Sequence, residues 1–260
     1  MEKINQFNNK GMITKCSVGK RNTSLKVLED VVVCEHSISL YIEKSPKTIK
    51  NLQQVFAEKP SGFTHVELNC SPENLEELII GHLLAEQYIY HIDQIQALYI
   101  DETGASALVS ICALTDEKKK YWEKAVPKVH VPYENIKKQA IKTLNYSELF
   151  KQTGALHIAS LWKDGVELYN YSDIGRHNAI DKVIGRAMQD HVDFSGVVLF
   201  TSGRVPCDIV QKIVSARIPI LASRSAPTDR SIELARKNGI VLLGFVRGEY
   251  MNNYTLDSKE

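Results

Sequence analysis

Four short stretches in the second half of the chain place arginine among small or polar residues. They are Asp173-Ile174-Gly175-Arg176-His177-Asn178, Ser202-Gly203-Arg204, Ser223-Arg224-Ser225-Ala226-Pro227-Thr228 and Val246-Arg247-Gly248. A guanidinium grips phosphate through paired hydrogen bonds, and small neighbours let backbone N–H groups approach the same anion. The chemistry favoured by these residue types is capture of a phosphate-rich nucleotide by Arg176, Arg204 and Arg247. In the first stretch His177 can donate a hydrogen bond or shuttle a proton, and Asp173 can cap a helix or orient His177. The competing reading is that Asp173 only caps and His177 only packs. Neither GxGxxG nor GxxxxGK[ST] occurs, so no dinucleotide fingerprint or P-loop explains such a site.

These stretches matter only if the fold gathers them. Ile158 to Lys163 and Val166 to Tyr171 read as strands of a hairpin turning at Asp164-Gly165, and a helix follows from about Asn178 to Met188. Val197 to Phe200 is a strand, a helix through Ile209, Ile213 and Val214 ends before Pro219, and Ile220 to Ala222 is the next strand. Thr228 caps a further helix, which Asn238-Gly239 stops before a strand from Ile240 to Phe245. Right-handed crossovers make such strands parallel, so the loops that follow them share the sheet edge where ligands bind in open α/β sheets.

The rest of the chain frames this unit. The 260 residues, 43% apolar and 24% charged, fit one two-lobed globule. The boundaries read as a polar tail at 1–22, an N-terminal lobe at 23–115, a connector region at 116–146 and the cofactor-binding α/β lobe at 147–260. In the first lobe Leu25 to Glu43 is strand-like, and Glu73 to Ile89 reads as an amphipathic helix capped by Ser71 or Asn69, with Pro72 in its first turn. A lysine-rich stretch from Asp116 to Asn145 reads as a loop followed by a short helix.

The net charge of +1 gives no electrostatic case for coating nucleic acid or a membrane surface, so an anion site must be local. Neither a signal-like segment nor a run of ~18 apolar residues occurs, which predicts a cytoplasmic protein without a membrane span. Five scattered cysteines without a CxxC pair fit reduced thiols.

Two further motifs carry less. His65-Val66-Glu67 with Pro206-Cys207 echoes a zinc deaminase, but Val210 stands where the third ligand would be cysteine, so no metal is expected. Cys207, near Arg204 and a helix start, can be an activated thiolate or simply a small packed residue, and without a resolving partner packing is favoured.

Thr153-Gly154-Ala155-Leu156-His157, the run Asp173 to Gly185, Ser202-Gly203-Arg204, Ile218-Pro219-Ile220-Leu221-Ala222, Ser225-Ala226-Pro227-Thr228 and Gly244-Phe245-Val246-Arg247-Gly248 together resemble the formate dehydrogenase accessory sulfurtransferase (FdhD) family in order and spacing. In the first lobe Ser71-Pro72 through Glu86 resembles the family's helix. The resemblance implies an α/β fold with a cytidine-deaminase-like mixed sheet, helices on both faces, a smaller N-terminal α+β lobe and no zinc. It also implies a homodimer binding the bis-guanine-dinucleotide form of the molybdenum cofactor as cargo, with a cysteine desulfurase and formate dehydrogenase as partners. The family pattern assigns the cofactor to Phe245, Val246, Arg247, Gly248, Glu249 and Tyr250, with Gly175, Arg176, His177, Ser202, Gly203, Arg204 and Ser225 in loops lining the same site.

The chain departs from the pattern where chemistry is expected. The family's CxxC loop corresponds to about Trp122 to Tyr133, which contains no cysteine. Sulfur relay needs a thiolate, so either a single cysteine such as Cys112 serves or the chain is a cofactor-binding chaperone without sulfur chemistry. A third alternative is a nucleotide-processing enzyme using His177 as acid or base.

Overall fold

The computed structural model describes residues 2–5, 12–21, 25–44, 63–113, 132–145, 148–247 and 250–256. The first sheet is built from β1 (Glu2–Asn5), β4 (His36–Glu43), β5 (Thr64–Cys70), β6 (Ile95–Ile100) and β7 (Ser106–Ile111), in the order β1-β6-β7-β4-β5. Beside it β2 (Ile13–Arg21) and β3 (Leu25–Val33) form an antiparallel ribbon. Within the N-terminal region 1–22, Glu2–Asn5 and Ile13–Arg21 are strands. Pairing satisfies backbone groups of these two strands without needing apolar side chains, which is why composition alone does not reveal them.

Leu75–Ala85 forms α1, which is shorter than predicted and not amphipathic. Leu75 and every residue from Leu78 to Ala85 are buried, because the helix is covered on several sides. Its N-cap is Asn74 in the left-handed region, with no side-chain cap. Ser71 does not cap it; its hydroxyl instead accepts the Ile174 amide at 3.1 Å. Nor does Asn69, whose carbonyl accepts from Asn178 at 2.7 Å. Pro72 lies outside the helix.

The second sheet has the order β13-β12-β11-β10-β8-β9. Its strands are β8 (His157–Lys163), β9 (Val166–Asp173), β10 (Val197–Thr201), β11 (Ile220–Ser223), β12 (Val241–Arg247) and β13 (Tyr250–Asn253). Strands β10, β11 and β12 run parallel, as the repeated strand-helix pattern requires, while β8 pairs antiparallel to β10. Asp164 and Gly165, with φ of 52° and 82°, make the predicted hairpin turn.

The connector's helix is α2 (Tyr133–Asn145), followed by α3 (Glu148–Thr153). Ile136 and Ala140 of α2 pack with Trp162, Val198, Phe200 and Ala222 on one face of the second sheet. On the other face lie α4 (Arg176–Gln189), α5 (Cys207–Ser215) and α6 (Asp229–Lys237). Along β10 the side chains alternate between the two cores, so all five residues are buried. The larger core joins Ile38 and Leu40 of the first sheet, α1, α4, and Leu161 and Leu199 of the second. The architecture is a mixed α/β fold. Among the described residues no helix is long and apolar enough to cross a membrane.

Candidate functional site

Three parallel strand tips converge as their topology requires. Ser202 follows β10, Arg224 and Ser225 follow β11, and Arg247 ends β12. All four line one cleft of about 530 Å³. The opposite wall comes from Phe150 of α3, the turn Gly154 to Leu156, and His157, which opens β8. Sequence reasoning had not singled out Phe150 and His157. The run Thr153 to His157 was the available signal, but the antiparallel pairing of β8 with β10 was needed to bring it here.

The loops are stitched together by their own polar groups. The Ser202 amide donates to the Ile158 carbonyl, and the Ile158 amide donates to Ser202 Oγ, each at 3.0 Å. Gly203 N donates to Thr201 Oγ1, Ser225 N to Ser223 Oγ, and Arg224 N to the Thr201 carbonyl. Ser223 Oγ in turn donates to the Gly203 carbonyl at 2.6 Å. This corrects the expectation of open backbone amides: those of Ser202, Gly203, Arg224 and Ser225 are already engaged, which fixes loop shape and leaves guanidinium groups as the donors these loops could offer an anion.

Arg176 and Arg204 reach the cleft's His157 electrostatically. Burial holds the His157 imidazole below its ordinary pKa, and the charges of Arg176 and then Arg204 push the same way against the opposing Asp173 carboxylate. The Arg176 side chain crosses Gly203, where an added Cβ would lie 2.9 Å from Arg176 Cβ and 3.0 Å from its Cδ. Its Nε is buried with no hydrogen-bond partner, a donor suited to an anionic guest. Gly175 is the N-cap of α4 and brings no side-chain cap, so the helix's first amides add positive potential beside Arg176.

Arg247 lies on the exposed rim, its Nε donating to the Arg224 carbonyl at 3.1 Å and its guanidinium 5.7 Å from the centre of the Phe245 ring. Phe245 is exposed and has φ of 51°, an uncommon conformation for a bulky residue and one that tends to persist at ligand sites. Tyr250 is 81% exposed. Val246 departs from the expected contact role: it is 1% exposed and packs with Phe200 and Leu243, so only its backbone could face a ligand. Gly248 and Glu249, like residues 122–131 where the CxxC loop was expected, lie outside the described residues.

His177 faces elsewhere. Its Nε2 is 3.6 Å from Asp208 Oδ2, and burial holds its pKa below the usual value against the pull of Asp208. It is absent from the cleft wall. Asp173 neither caps α4 nor orients His177. It is fully buried, takes Lys182 Nζ at 2.6 Å, and accepts the amides of Ser71 and Gly175 and the Asn178 side chain. These bonds fasten the Arg176 loop to the first lobe.

His65 and Glu67, 2.9 Å apart, sit on edge strand β5, whereas Cys207 opens α5 in the other lobe. Cys70 is buried, and burial with the Asp173 charge pushes its thiol up to about 12, so it does not supply a thiolate at neutral pH.

Comparison with known proteins agrees with this architecture. A solved structure from Desulfotalea psychrophila, described as a candidate formate dehydrogenase accessory protein, superposes with a TM-score of 0.74 over 95% of this chain and 97% of its own at 23% identity, a likeness of fold. Protein FdhD of Methanocaldococcus jannaschii is 30% identical over 246 residues, covering 94% of this chain and 97% of that protein. The sulfur carrier protein FdhD of Wolinella succinogenes is 31% identical over 253 residues, covering 87% and 81%. The FdhD/NarQ family profile matches residues 33–128 and 110–259. With most of its length matched in sequence and in fold, the chain belongs to the FdhD/NarQ family.

Proposed function

We propose that this chain is an accessory protein for formate dehydrogenase maturation. It binds the bis-guanine-dinucleotide molybdenum cofactor as cargo in the cleft at the tips of β10, β11 and β12, and passes to it sulfur received from a cysteine desulfurase. The frame is a zinc-free, cytidine-deaminase-like sheet, and the working unit is a homodimer in the cytoplasm. The observation that carries this reading is the placement of Arg224 and Arg247 in one cleft of about 530 Å³, with Arg176 and Arg204 acting on its His157. Guanidinium groups from separate loops match the spaced phosphates of a dinucleotide. The buried, unpartnered Arg176 Nε fits the same guest. Relatives named sulfur carrier protein FdhD support the sulfur-transfer part.

A second reading, a cofactor-binding chaperone without sulfur chemistry, is favoured by one specific observation: the sequence has no CxxC pair. Incubating the purified chain with a cysteine desulfurase and free cysteine, then mapping persulfides by mass spectrometry, separates the two. A persulfide on one cysteine, with sulfur passed onward, supports transfer. A protein that binds guanosine diphosphate but carries no persulfide is the chaperone. Failure to bind guanosine diphosphate in calorimetry removes both.

A further inference from the structure

Among the described residues that line the strand-tip cleft, His157 is the only side chain whose charge changes near neutral pH. It opens β8, is half-buried, and pairs across the sheet with Asp173 of β9. Its Nδ1 lies 3.3 Å from Ser202 Oγ, and the same oxygen accepts the Ile158 amide at 3.0 Å. A hydroxyl so placed serves either form of the ring. It donates its proton to Nδ1 of a neutral imidazole, and it rotates to accept from Nδ1–H of an imidazolium. In both forms the second nitrogen, Nε2, carries a hydrogen that an anion can accept, and the bond is stronger when the ring is charged.

The charges around this ring come from several elements. The start of α4 brings Arg176 and the loop after β10 brings Arg204, while Arg224 after β11 and Arg247 at the end of β12 line the same cleft. From α3 the cleft receives Phe150, which is uncharged. Asp173 is the opposing carboxylate, but Lys182 Nζ lies 2.6 Å from it and offsets its charge. Burial first, and then Arg176 and Arg204, disfavour a proton on the ring against the pull of Asp173. A bound phosphate reverses that balance, because its charge cancels those of the guanidinium groups and attracts the imidazolium. Arg176 has a buried Nε without a hydrogen-bond partner among the described residues, so the cation that repels a proton from His157 also has a donor to give the anion.

We propose that His157 is a proton-coupled ligand of the cleft: it is neutral in the free protein at neutral pH and takes up one proton as a phosphate group enters, so that phosphate-bearing guests bind more tightly as pH falls. This rests on the nucleotide reading of the same cleft and adds to it a control of capture and release by pH.

The test uses the full chain with ¹⁵N-labelled histidine, titrated over pH by NMR without and with saturating guanosine diphosphate, the His157 signal being assigned through its bonded neighbours. With the nucleotide bound, the midpoint of His157 should move to higher pH. Calorimetry at about pH 5.5 and about pH 8 then compares wild type with His157→Gln, which keeps a hydrogen-bond donor but gains no proton. The nucleotide's own phosphate titrates equally in both measurements, so the ratio of the two affinities isolates the histidine. That ratio, wild type over variant, should be about tenfold larger at the lower pH, the step from a neutral to a charge-assisted hydrogen bond. His157→Asn replaces the glutamine variant if the latter's thermal melt shows that it does not fold. A midpoint that stays in place or falls when guanosine diphosphate binds, or a ratio that does not vary with pH, would overturn the proton coupling and leave the nucleotide reading standing. Wild-type protein that binds no guanosine diphosphate removes both together.

Discussion

The seam between α1 and α4 and the cleft at the strand tips both use glycine and charge, to opposite ends. In the seam a Cβ on Gly185 would lie 1.9 Å from the Glu77 carbonyl oxygen, and one on Gly81 1.9 Å from that of Asp181, so two backbones touch where any side chain would part them. The charged groups there close on one another: Asp173 with Lys182, and Asp181 with Lys212 at 2.9 and 3.0 Å. In the cleft Gly203 makes room for an arginine side chain, the amides are spent on loop shape, and guanidinium groups stay exposed or unpartnered. The seam's charged groups close on one another as ion pairs, although His82 Nε2 and Gln189 Oε1 are left without hydrogen-bond partners, whereas the arginines around the cleft face solvent or keep a donor open.

That contrast predicts different consequences of mutation. The largest effect is expected for Lys182→Met, which leaves the buried Asp173 carboxylate without its counter-ion and should cost about 3–5 kcal/mol in chemical denaturation. A variant near wild-type stability would show that the pair is not what holds the Arg176 loop to the first lobe. Gly185→Ala comes next, at about 3 kcal/mol, because the helices must separate to admit a methyl group. A loss below about 1 kcal/mol, within the cost of routine substitutions, would mean that the seam slides freely.

Arg247→Ala and Arg204→Ala sharpen the other side of the comparison. Each should weaken guanosine diphosphate binding by about 1.5–3 kcal/mol in calorimetry, the scale of hydrogen bonds to charged groups, while thermal stability stays unchanged. Unchanged affinity in both variants would move the phosphate site elsewhere.

The smallest net effect is expected from pH, because two seam groups oppose each other. Burial, partly offset by Lys212, raises Asp181 to about 6, so its contribution to stability falls as pH rises from about 4 to 6. Burial, reinforced by Lys212, lowers His82 to about 4, so its contribution is complete above the ordinary histidine value near 6.5 and is lost as pH falls toward 4. His82→Gln removes the second dependence, so the stability gap between wild type and variant should change by an amount that grows with pH from 4 to 6.5. Urea titrations showing a gap that does not vary with pH would exclude this assignment.

The arrangement of β10, α5, β11, α6 and β12 was legible because alternating strand and helix patterns with capping residues such as Thr228 are local signals, and parallel crossovers then fix a common edge. The gathering of arginines along that edge was legible because arginine beside small residues is also a local pattern. The limits of α1 were misjudged because an internal helix buried on several sides loses the one-sided stripe that marks a surface helix. The strand Glu2–Asn5 escaped because its pairing depends on β6, a partner distant in sequence, and Ile13–Arg21 because its polar composition hid a strand that pairs with β3 next to it.

By itself the amino-acid sequence determined the family, the parallel unit and the loops carrying Arg176, Arg204 and Arg247. The tertiary structure alone decided that His157 joins the cleft, that His177 turns toward Asp208, that Val246 is buried, and that Asp173 pairs with Lys182 rather than capping α4. The physical reason is range. Strand, helix and turn signals are written within a few neighbouring residues, whereas burial and charge pairing depend on which distant elements come to rest against one another.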